Sequence, residues 1–220
     1  FFILAFLLSS TAYSQTIISD YDDTFRITHS YSFGRSVGSY LKKSKYLADY
    51  KILFQSIWEG PKYLLSSSPS LLLKKIKKDL RKNGIDYEKF IARKPKYQFD
   101  KKYKVKKLKE IITKAQGPVL LIGDDLHKDE SVYKEVKGKF PNRVAAYYIR
   151  NSKNMIKAPH RYNYALDIAL EEWKANRMNL DQLSDFVDYL IKAPLKLINI
   201  KGYQCPILNL TGRKLAIITR

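Results

Sequence analysis

Short, continuously apolar runs recur along the chain, and each ends in polar or acidic residues. Runs of this length are typical of strands that are covered on both faces, as in a parallel sheet. The four runs are Ile17–Asp20, Tyr63–Ser66, Val119–Asp124 and Val144–Ile149. Amphipathic helical patterns lie between them, at Leu71–Gly84, Val105–Ile112 and Asp129–Lys139. This alternation of strand and helix predicts an α/β domain built on a doubly wound parallel sheet.

The remaining segments extend this domain without adding a second one. Residues 25–59 form a small insertion after the first strand, with a Lys/Tyr/Leu-rich helical segment inside it. Two further helices are predicted at Asn163–Arg177 and Leu180–Lys192, and short interrupted strands follow from Leu195 onward. We therefore expect the main part of a single domain over residues 15–160. Residues 161–220 would be a helical and irregular C-terminal elaboration of the same domain.

The first residues have the pattern of an export signal. Phe1–Leu8 is entirely apolar, and a small, polar stretch follows it. Residues 1–14 are therefore predicted to be a signal peptide with cleavage before Gln15, and the protein to be exported. The apolar run is shorter than the roughly 20 residues that a membrane-spanning helix needs. Without an initiator Met or basic leader, the segment is expected to lack its start; the alternative is a buried strand.

Charge and cysteine content limit the classes of function. The 220 residues include 41 Lys and Arg but only 21 Asp and Glu, giving a net charge of +20. This surplus favours an anionic partner such as a phosphorylated substrate, an acidic lipid, an envelope polymer or nucleic acid. The alternative is a generally Lys-rich protein. Cys205 is the single cysteine, so the chain forms no internal disulfide.

An acidic motif, Asp20-Tyr21-Asp22-Asp23-Thr24, directly follows the first predicted strand. Asp20 and Asp22 are two residues apart, so in extended chain they point to the same side. Carboxylates crowded in this way raise one another's pKa, and a divalent cation relieves the repulsion. The pattern is typical of metal-assisted phosphoryl transfer with one carboxylate as nucleophile and its neighbour as proton shuttle. The alternative is an acidic turn that caps a helix.

Three more groups could contribute to this site, and two of them, Ser66 and Asp124, lie at the ends of predicted strands, where open α/β sheets bind ligands. Ser66 begins a Ser-Ser-Ser-Pro stretch that opens a helix, which suits an anion site but is also an ordinary helix start. A lysine ahead of Val105 could reach a phosphate, although five lysines compete for this role. Asp124, with Asp129 five residues later, offers oxygen ligands of the kind that Mg²⁺ prefers.

In this order the motifs resemble the haloacid dehalogenase-like phosphatases and, among them, the phosphatidate phosphatase catalytic domain family of the actin-patch-associated type. The resemblance runs from about Ile17 to Arg150 and implies a Rossmann-like fold. It is carried by Ile18–Thr28, Ser66–Pro69, Leu121–Asp124 with Asp129 and Tyr133, and Pro141–Arg150. The chain departs from the family pattern at Ser70 in place of Trp, at Tyr103 in place of His, and at Asp125-Leu126 in place of Ser-Gly.

The resemblance implies a phosphatase that hydrolyses a phosphomonoester, with phosphatidate or another phospholipid as the candidate substrate. Asp20 would attack phosphorus and form an aspartyl-phosphate, and Asp22 would protonate the leaving oxygen and then activate water. Ser66 would hold a phosphate oxygen. Lys104 takes the position of the family's phosphate-binding lysine, because it precedes the stripe from Val105 to Ile112 by the expected offsets.

The resemblance also implies Mg²⁺ as the cofactor. Asp20, the backbone carbonyl of Asp22, and Asp124 would bind the ion, and Asp129 would bind it directly or orient one of its ligands. Contact with an anionic membrane surface is a further expectation, and nucleic acid is not expected as a partner. Two alternatives remain open: a phosphatase for nucleotides or phosphoproteins, and a non-catalytic basic module that binds anionic envelope polymers or nucleic acid.

Overall fold

The computed structural model of the protein describes residues 15–26, 46–93, 101–126, 128–152 and 160–192, with only the backbone described for residues 67–69 and 93. The predicted signal peptide, most of the first half of the insertion, and the predicted strands beyond residue 195 lie outside these ranges. Within the described part, no helix is both long and apolar enough to cross a membrane.

Six parallel strands form one sheet in the order β3-β2-β1-β4-β5-β6. The strands are β1 Thr16–Asp20, β2 Lys62–Pro69, β3 Lys89–Arg93, β4 Val119–Asp124, β5 Val144–Arg150 and β6 Arg161–Tyr162. Strand β1 lies between β2 and β4, so the strand order reverses on either side of it. In sheets of this kind the ligand crevice lies outside the carboxyl ends of the strands at the point of reversal.

Helices cover both faces of the sheet, which confirms the doubly wound architecture. They are α1 Ala48–Ile52, which continues into a π-helical turn at Leu53–Ile57, α2 Leu73–Lys82, α3 Lys101–Ile112, α4 Asp129–Lys139, α5 Ala165–Lys174 and α6 Leu180–Lys192. Alternate strand residues point to opposite faces. Ile17 faces the core shared with α1, α2, α5 and α6, whereas Ile18 faces the core shared with α3 and α4.

The predicted central strands and the helices between them all occur in the structure. Helices α4 and α6 have the predicted bounds, and α2 ends just before Gly84, whose φ of 60° lies in the left-handed region that glycine tolerates. The edge strands β3 and β6 were not predicted. Strand β6 and the buried Ile168 and Phe186 of the helices that follow it join the same sheet and core as β1.

Candidate active site

Three buried carboxylates meet at the carboxyl edge of the sheet. Asp20 ends β1, Asp124 ends β4, and Asp129 opens α4. One oxygen of each carboxylate lies within 4.8 Å of the others. Because β1 and β4 are neighbours and α4 follows β4 after a short loop, the fold brings together side chains that are more than 100 positions apart in sequence. We refer to these three residues as the acidic cluster.

Lys104 of α3 reaches into the acidic cluster from the face of the sheet that α3 covers. Its Nζ donates a hydrogen bond to Asp20 Oδ1 at 2.6 Å and a second one to Asp129 Oδ1. Burial alone lowers the pKa of Lys104, but the carboxylates of Asp129 and Asp20 outweigh burial and raise this pKa above its usual value. The ammonium group therefore stays charged, and of the five lysines that competed for this position the structure brings Lys104 to the site.

A single buried cation does not neutralise the acidic cluster. Burial raises the pKa of Asp20 well above its usual value, and the charges of Asp129, Asp124 and Asp22 raise it further against the opposing effect of Lys104. Burial, followed by the charge of Asp129, raises the pKa of Asp124 to about 8. Burial and the neighbouring carboxylates both disfavour the charged forms of these groups, and a bound divalent cation would offset both effects. The electrostatics of the site therefore fit a metal ion.

The surroundings of Asp129 also fit a metal ion. Its Oδ2 atom is buried and has no hydrogen-bond partner among the described residues. A buried carboxylate oxygen without a partner is unfavourable, so the atom is available to a ligand. Gly123 makes room for this carboxylate, because a Cβ atom added at Gly123 would lie 2.3 Å from Asp129 Oδ2. The oxygen-only ligand set suits Mg²⁺, although the identity of the metal is not fixed by these side chains.

Asp22 lies beside the acidic cluster but outside it. Ser66 Oγ, near the carboxyl end of the neighbouring strand β2, donates a hydrogen bond of 2.6 Å to Asp22 Oδ2. The Asp22 carboxylate is not part of the acidic cluster. This agrees with the expectation that Asp22 binds metal through its backbone carbonyl and not through its side chain. Ser66 is buried at the position predicted for a phosphate-binding hydroxyl. Both side chains remain close to the cluster through the pairing of β1 with β2.

A tight turn presents Asp22. The backbone N–H groups of Phe25 and Arg26 donate to Tyr21 O at 3.2 and 2.9 Å, and Asp23 N donates to Arg26 O at 2.7 Å. Asp23 has a φ of 58°, in the left-handed region that aspartate enters more readily than most residues. The acidic motif is thus a strand end followed by a turn, rather than a helix cap.

Two contacts that hold this turn were not predicted. In the first, Thr24 Oγ1 donates to Asp124 Oδ2 at 3.1 Å. The other oxygen of Asp124 accepts a hydrogen bond of 2.8 Å from Leu126 N, which fixes the orientation of this carboxylate. From the end of β5, Arg150 donates from a guanidinium nitrogen to the backbone carbonyl of Asp23 at 2.8 Å. In the sequence, Arg150 was marked only as the last residue of the Pro141–Arg150 segment that carries the family resemblance, without a role.

The departure from the family pattern at Asp125 has a structural partner. Asp125 Oδ1 accepts a hydrogen bond from Ser152 N at 2.8 Å, and its Oδ2 lies 3.4 Å from Arg161 of β6. Arg161 also pairs with Glu130, whose second oxygen is 2.8 Å from His160 Nε2. Asp125 therefore fastens the loop after β4 to the edge of the sheet instead of facing the acidic cluster.

Comparison with known proteins agrees with this site. Residues 15–151 match the family described as phosphatidate phosphatase APP1, catalytic domain. The match covers well over half of the chain and includes the acidic cluster, Lys104, Asp22 and Ser66. A search of curated proteins finds no match. The parallel sheet and its carboxyl-edge carboxylates are also consistent with a haloacid dehalogenase-like fold. The chain belongs to the phosphatidate phosphatase APP1 catalytic domain family, and it is therefore a phosphatase.

Proposed function

We propose that this phosphatase hydrolyses phosphatidate or a closely related phospholipid monoester in a Mg²⁺-dependent reaction through an aspartyl-phosphate on Asp20. Family membership supports a phosphorylated lipid as the substrate. The observation that carries the mechanism is the acidic cluster bridged by Lys104 at the carboxyl edge of the sheet, with Asp22 directly beside it.

In the proposed first step, a carboxylate oxygen of Asp20 attacks phosphorus and the bond between phosphorus and the ester oxygen breaks. The leaving oxygen takes a proton from the carboxyl group of Asp22. Lys104 already holds Oδ1 of Asp20, which fixes the orientation of the carboxylate and places a positive charge where the phosphoryl oxygens would lie. In the second step Asp22 accepts a proton from water as the water attacks phosphorus, releasing phosphate and restoring Asp20.

The hydroxyl of Ser66 couples substrate binding to this proton transfer. In the structure Ser66 Oγ donates its proton to Asp22 Oδ2 at 2.6 Å. A hydroxyl has a single proton to donate. When a phosphate oxygen accepts this hydrogen bond instead, Asp22 Oδ2 loses the bond from Ser66, which favours the protonated form of Asp22 that the leaving group needs.

A Mg²⁺ ion would be held by Asp20, Asp124 and Asp129, together with the backbone carbonyl of Asp22. Bound there, it would supply positive charge to stabilise the phosphoryl group during transfer. The orphaned Oδ2 atom of Asp129 and the space that Gly123 leaves for it support this assignment.

The test is turnover of a generic phosphomonoester with Mg²⁺, followed by a panel of phosphatidate, nucleotides and phosphopeptides. We expect Asp20→Asn to abolish turnover, and Asp22→Asn to lower kcat by roughly 10²–10⁴-fold, the range for a lost acid–base group. Asp181→Asn, on the exposed start of α6, is the matched control and should retain full activity. Activity that survives in Asp20→Asn would exclude the aspartyl-phosphate, and a preference for nucleotides or phosphopeptides would exclude the lipid substrate.

A further inference from the structure

Helix α2 presents a basic outer face. Its buried side is formed by Ile76 and Leu80, which pack against the core. All of its Lys and Arg residues are exposed, namely Lys74, Lys75, Lys77, Lys78, Arg81 and Lys82. Asp79, its only carboxylate, accepts a hydrogen bond from the Tyr46 hydroxyl. The outer surface of α2 therefore carries six positive charges with one carboxylate engaged beside them.

These charges have no internal role in the described structure. None of the six side chains forms an ion pair with another described residue, whereas Lys101 and Lys107 of α3, the next helix in sequence, pair with Glu135 and Glu110. The first turn of α2 contains Lys74 and Lys75 and no acidic residue. Cations at a helix N-terminus oppose the helix dipole and reduce stability. Arg81 and Lys82 in the last turn suit the helix dipole, whereas Lys74 and Lys75 in the first turn do not stabilise the helix, and an anionic partner outside the chain accounts for them.

An exposed apolar side chain lies at the start of the same surface. Leu71 is 86% exposed, the most exposed of the large hydrophobic residues among those described. It lies in the 3-10 turn Ser70–Leu72 that joins β2 to α2, five residues after Ser66. Strand β2 ends at the active-site edge of the sheet, and β3 returns parallel to it, so α2 begins at that edge and runs away from it. Leu71 and the first turn of α2 therefore lie on the same edge as the acidic cluster.

We propose that Leu71 and the basic face of α2 dock the protein on an anionic membrane, with the carboxyl edge of the sheet facing the lipid. The inference rests on the proposed function in one respect, because a phospholipid substrate explains why the docking surface borders the active site. Basic residues near an anionic bilayer each add to binding, and an exposed leucine adds apolar contact with the interface.

The composition of the surface favours a membrane over nucleic acid. Five of the six cations are lysines, which act as point charges rather than as the bidentate donors that recognise individual phosphates. Helix α2 contains no aromatic residue on which a base could stack. A leucine at 86% exposure has no role in contact with a phosphate backbone but has one in the bilayer interface.

Vesicle binding tests the proposal with the full chain. The protein is sedimented with phosphatidylcholine vesicles with and without phosphatidylglycerol, at several salt concentrations and with a chelator present. Phosphatidylglycerol is a phosphodiester, so it supplies the surface charge without being a monoester substrate. We expect binding only to the vesicles with phosphatidylglycerol, and weaker binding as salt rises.

Two variants locate the docking surface. Replacing Lys74, Lys75, Lys77 and Lys78 by Gln should lower vesicle partitioning by roughly tenfold or more, because each basic residue near the surface contributes separately. Leu71→Ser should lower it several-fold without changing charge. The matched control replaces Lys109, Lys114, Lys139 and Lys174 by Gln; these are exposed lysines in or after the last turns of α3, α4 and α5, away from the active-site edge. The control should bind within about twofold of wild type.

Docking and catalysis fail separately in this design. Equal binding of wild type to charged and neutral vesicles, or equal binding of the α2 variant and its control, would overturn the docking proposal. Binding of duplex DNA through the α2 lysines without binding to vesicles would also overturn it. Turnover of a soluble phosphomonoester is measured on the same proteins. If wild type binds charged vesicles through α2 but hydrolyses no phosphomonoester, docking stands and the proposed function falls.

Discussion

At the scale of single residues, the absence of a side chain at Gly123 matters as much as the presence of Asp129. A Cβ atom at Gly123 would lie 2.3 Å from Asp129 Oδ2 and 2.8 Å from Asp129 Cβ, so Gly123→Ala must displace that carboxylate. We expect this variant to lose metal affinity and about 1–3 kcal/mol of stability, the usual effect of overpacking. Mg²⁺ titration calorimetry and urea unfolding with a chelator measure the two effects.

Gly138→Ala is the matched control for that substitution. Gly138 lies within α4, and an added Cβ there would meet no atom within 4 Å. Alanine favours the helix by about 0.5–1 kcal/mol over glycine, so this variant should be more stable and should bind Mg²⁺ as wild type does. If both variants bound Mg²⁺ equally well, Asp129 would not be a metal ligand.

Arg150 is expected to act on catalysis through the turn that presents Asp22. Its guanidinium donates to the Asp23 carbonyl at 2.8 Å, and Asp23 has the left-handed φ of 58°. Arg150→Met removes this donor, so we expect kcat to fall roughly tenfold with little change in KM, since small displacements of a reacting group have effects of this size or larger. Arg150→Lys should restore part of kcat, as measured in the same phosphomonoester assay.

A second arginine controls for the loss of stability. Arg143 also donates to backbone carbonyl groups, those of Ile112 and Ala115, but far from the carboxyl edge. Arg143→Met should destabilise the protein without lowering kcat of the folded fraction. A similar fall of kcat in both variants would reduce the role of Arg150 to stability.

The side chains of the site differ in how well the sequence predicts their positions. Asp20 and Asp124 end apolar runs, so their positions at the ends of parallel strands predict that they converge, and Asp129 follows Asp124 by only five residues. Lys104 could not be separated from its neighbours by composition, and only its position before the Val105–Ile112 stripe, read through the family resemblance, singled it out. The contacts of Thr24 with Asp124 and of Arg150 with Asp23 join residues 100 and 127 positions apart, and no local pattern encodes such pairings.

At the scale of elements, the buried carboxylate of Glu172 fastens α5 to the sheet through Tyr148 and pairs with Arg177 beyond the end of the helix. Glu172 of α5 is fully buried and accepts hydrogen bonds from Tyr148 of β5 at 2.5 Å and from Arg177 at 2.7 and 2.8 Å. Glu172→Ala leaves Arg177 and Tyr148 without their partner. We expect a loss of about 3–5 kcal/mol in the free energy of unfolding, as for other broken buried pairs, with kcat of the folded protein unchanged.

The adjacent residue provides the comparison. Glu171 pairs with Lys174 at 2.9 Å on the exposed side of the same helix. Glu171→Ala should change the free energy of unfolding by less than about 1 kcal/mol in the same urea titration. Equal losses for the two variants would show that helix propensity, rather than the buried pair, sets the stability of α5.

Elements were predictable to the extent that their pattern is local. The central strands are uninterrupted apolar runs, and α4 and α6 have clear amphipathic stripes, so their positions follow from the sequence. Strand β3 begins with Lys89 and ends with Arg93, and β6 has only two residues. Both lie at the edges of the sheet, where pairing with one neighbour defines the strand and no apolar run is needed.

At the scale of the whole molecule, the acidic cluster couples folding to pH and to metal. The pKa of Asp124 is raised to about 8 and that of Asp20 is also raised, whereas the pKa of an aspartate in the unfolded chain is about 3.9. Between about pH 4 and pH 8 the folded protein therefore binds more protons than the unfolded chain. Without metal, these groups make the free energy of unfolding fall as pH rises through that window.

Asp124→Asn removes one of the titrating carboxylates and isolates this effect. In a chelator, we expect the variant to become more stable than wild type as pH rises from about 5 to 8, by a few kcal/mol at the upper end. The background from the net charge of +20 affects both proteins alike, so the difference between their urea unfolding curves reports the acidic cluster.

Saturating Mg²⁺ should make wild type more stable than Asp124→Asn, the reverse of their order of stability in chelator. A metal ion binds the deprotonated cluster of the folded state and stabilises it by mass action, and the gain grows with pH because fewer protons have to be displaced. Wild type should gain most near pH 8, and the variant, which lacks one ligand, should gain little. A variant less stable than wild type in chelator at pH 8 would mean that Asp124 is not held against electrostatic repulsion. In that case the acidic cluster would not destabilise the metal-free fold, and its electrostatics would no longer support the cation that the proposed reaction uses.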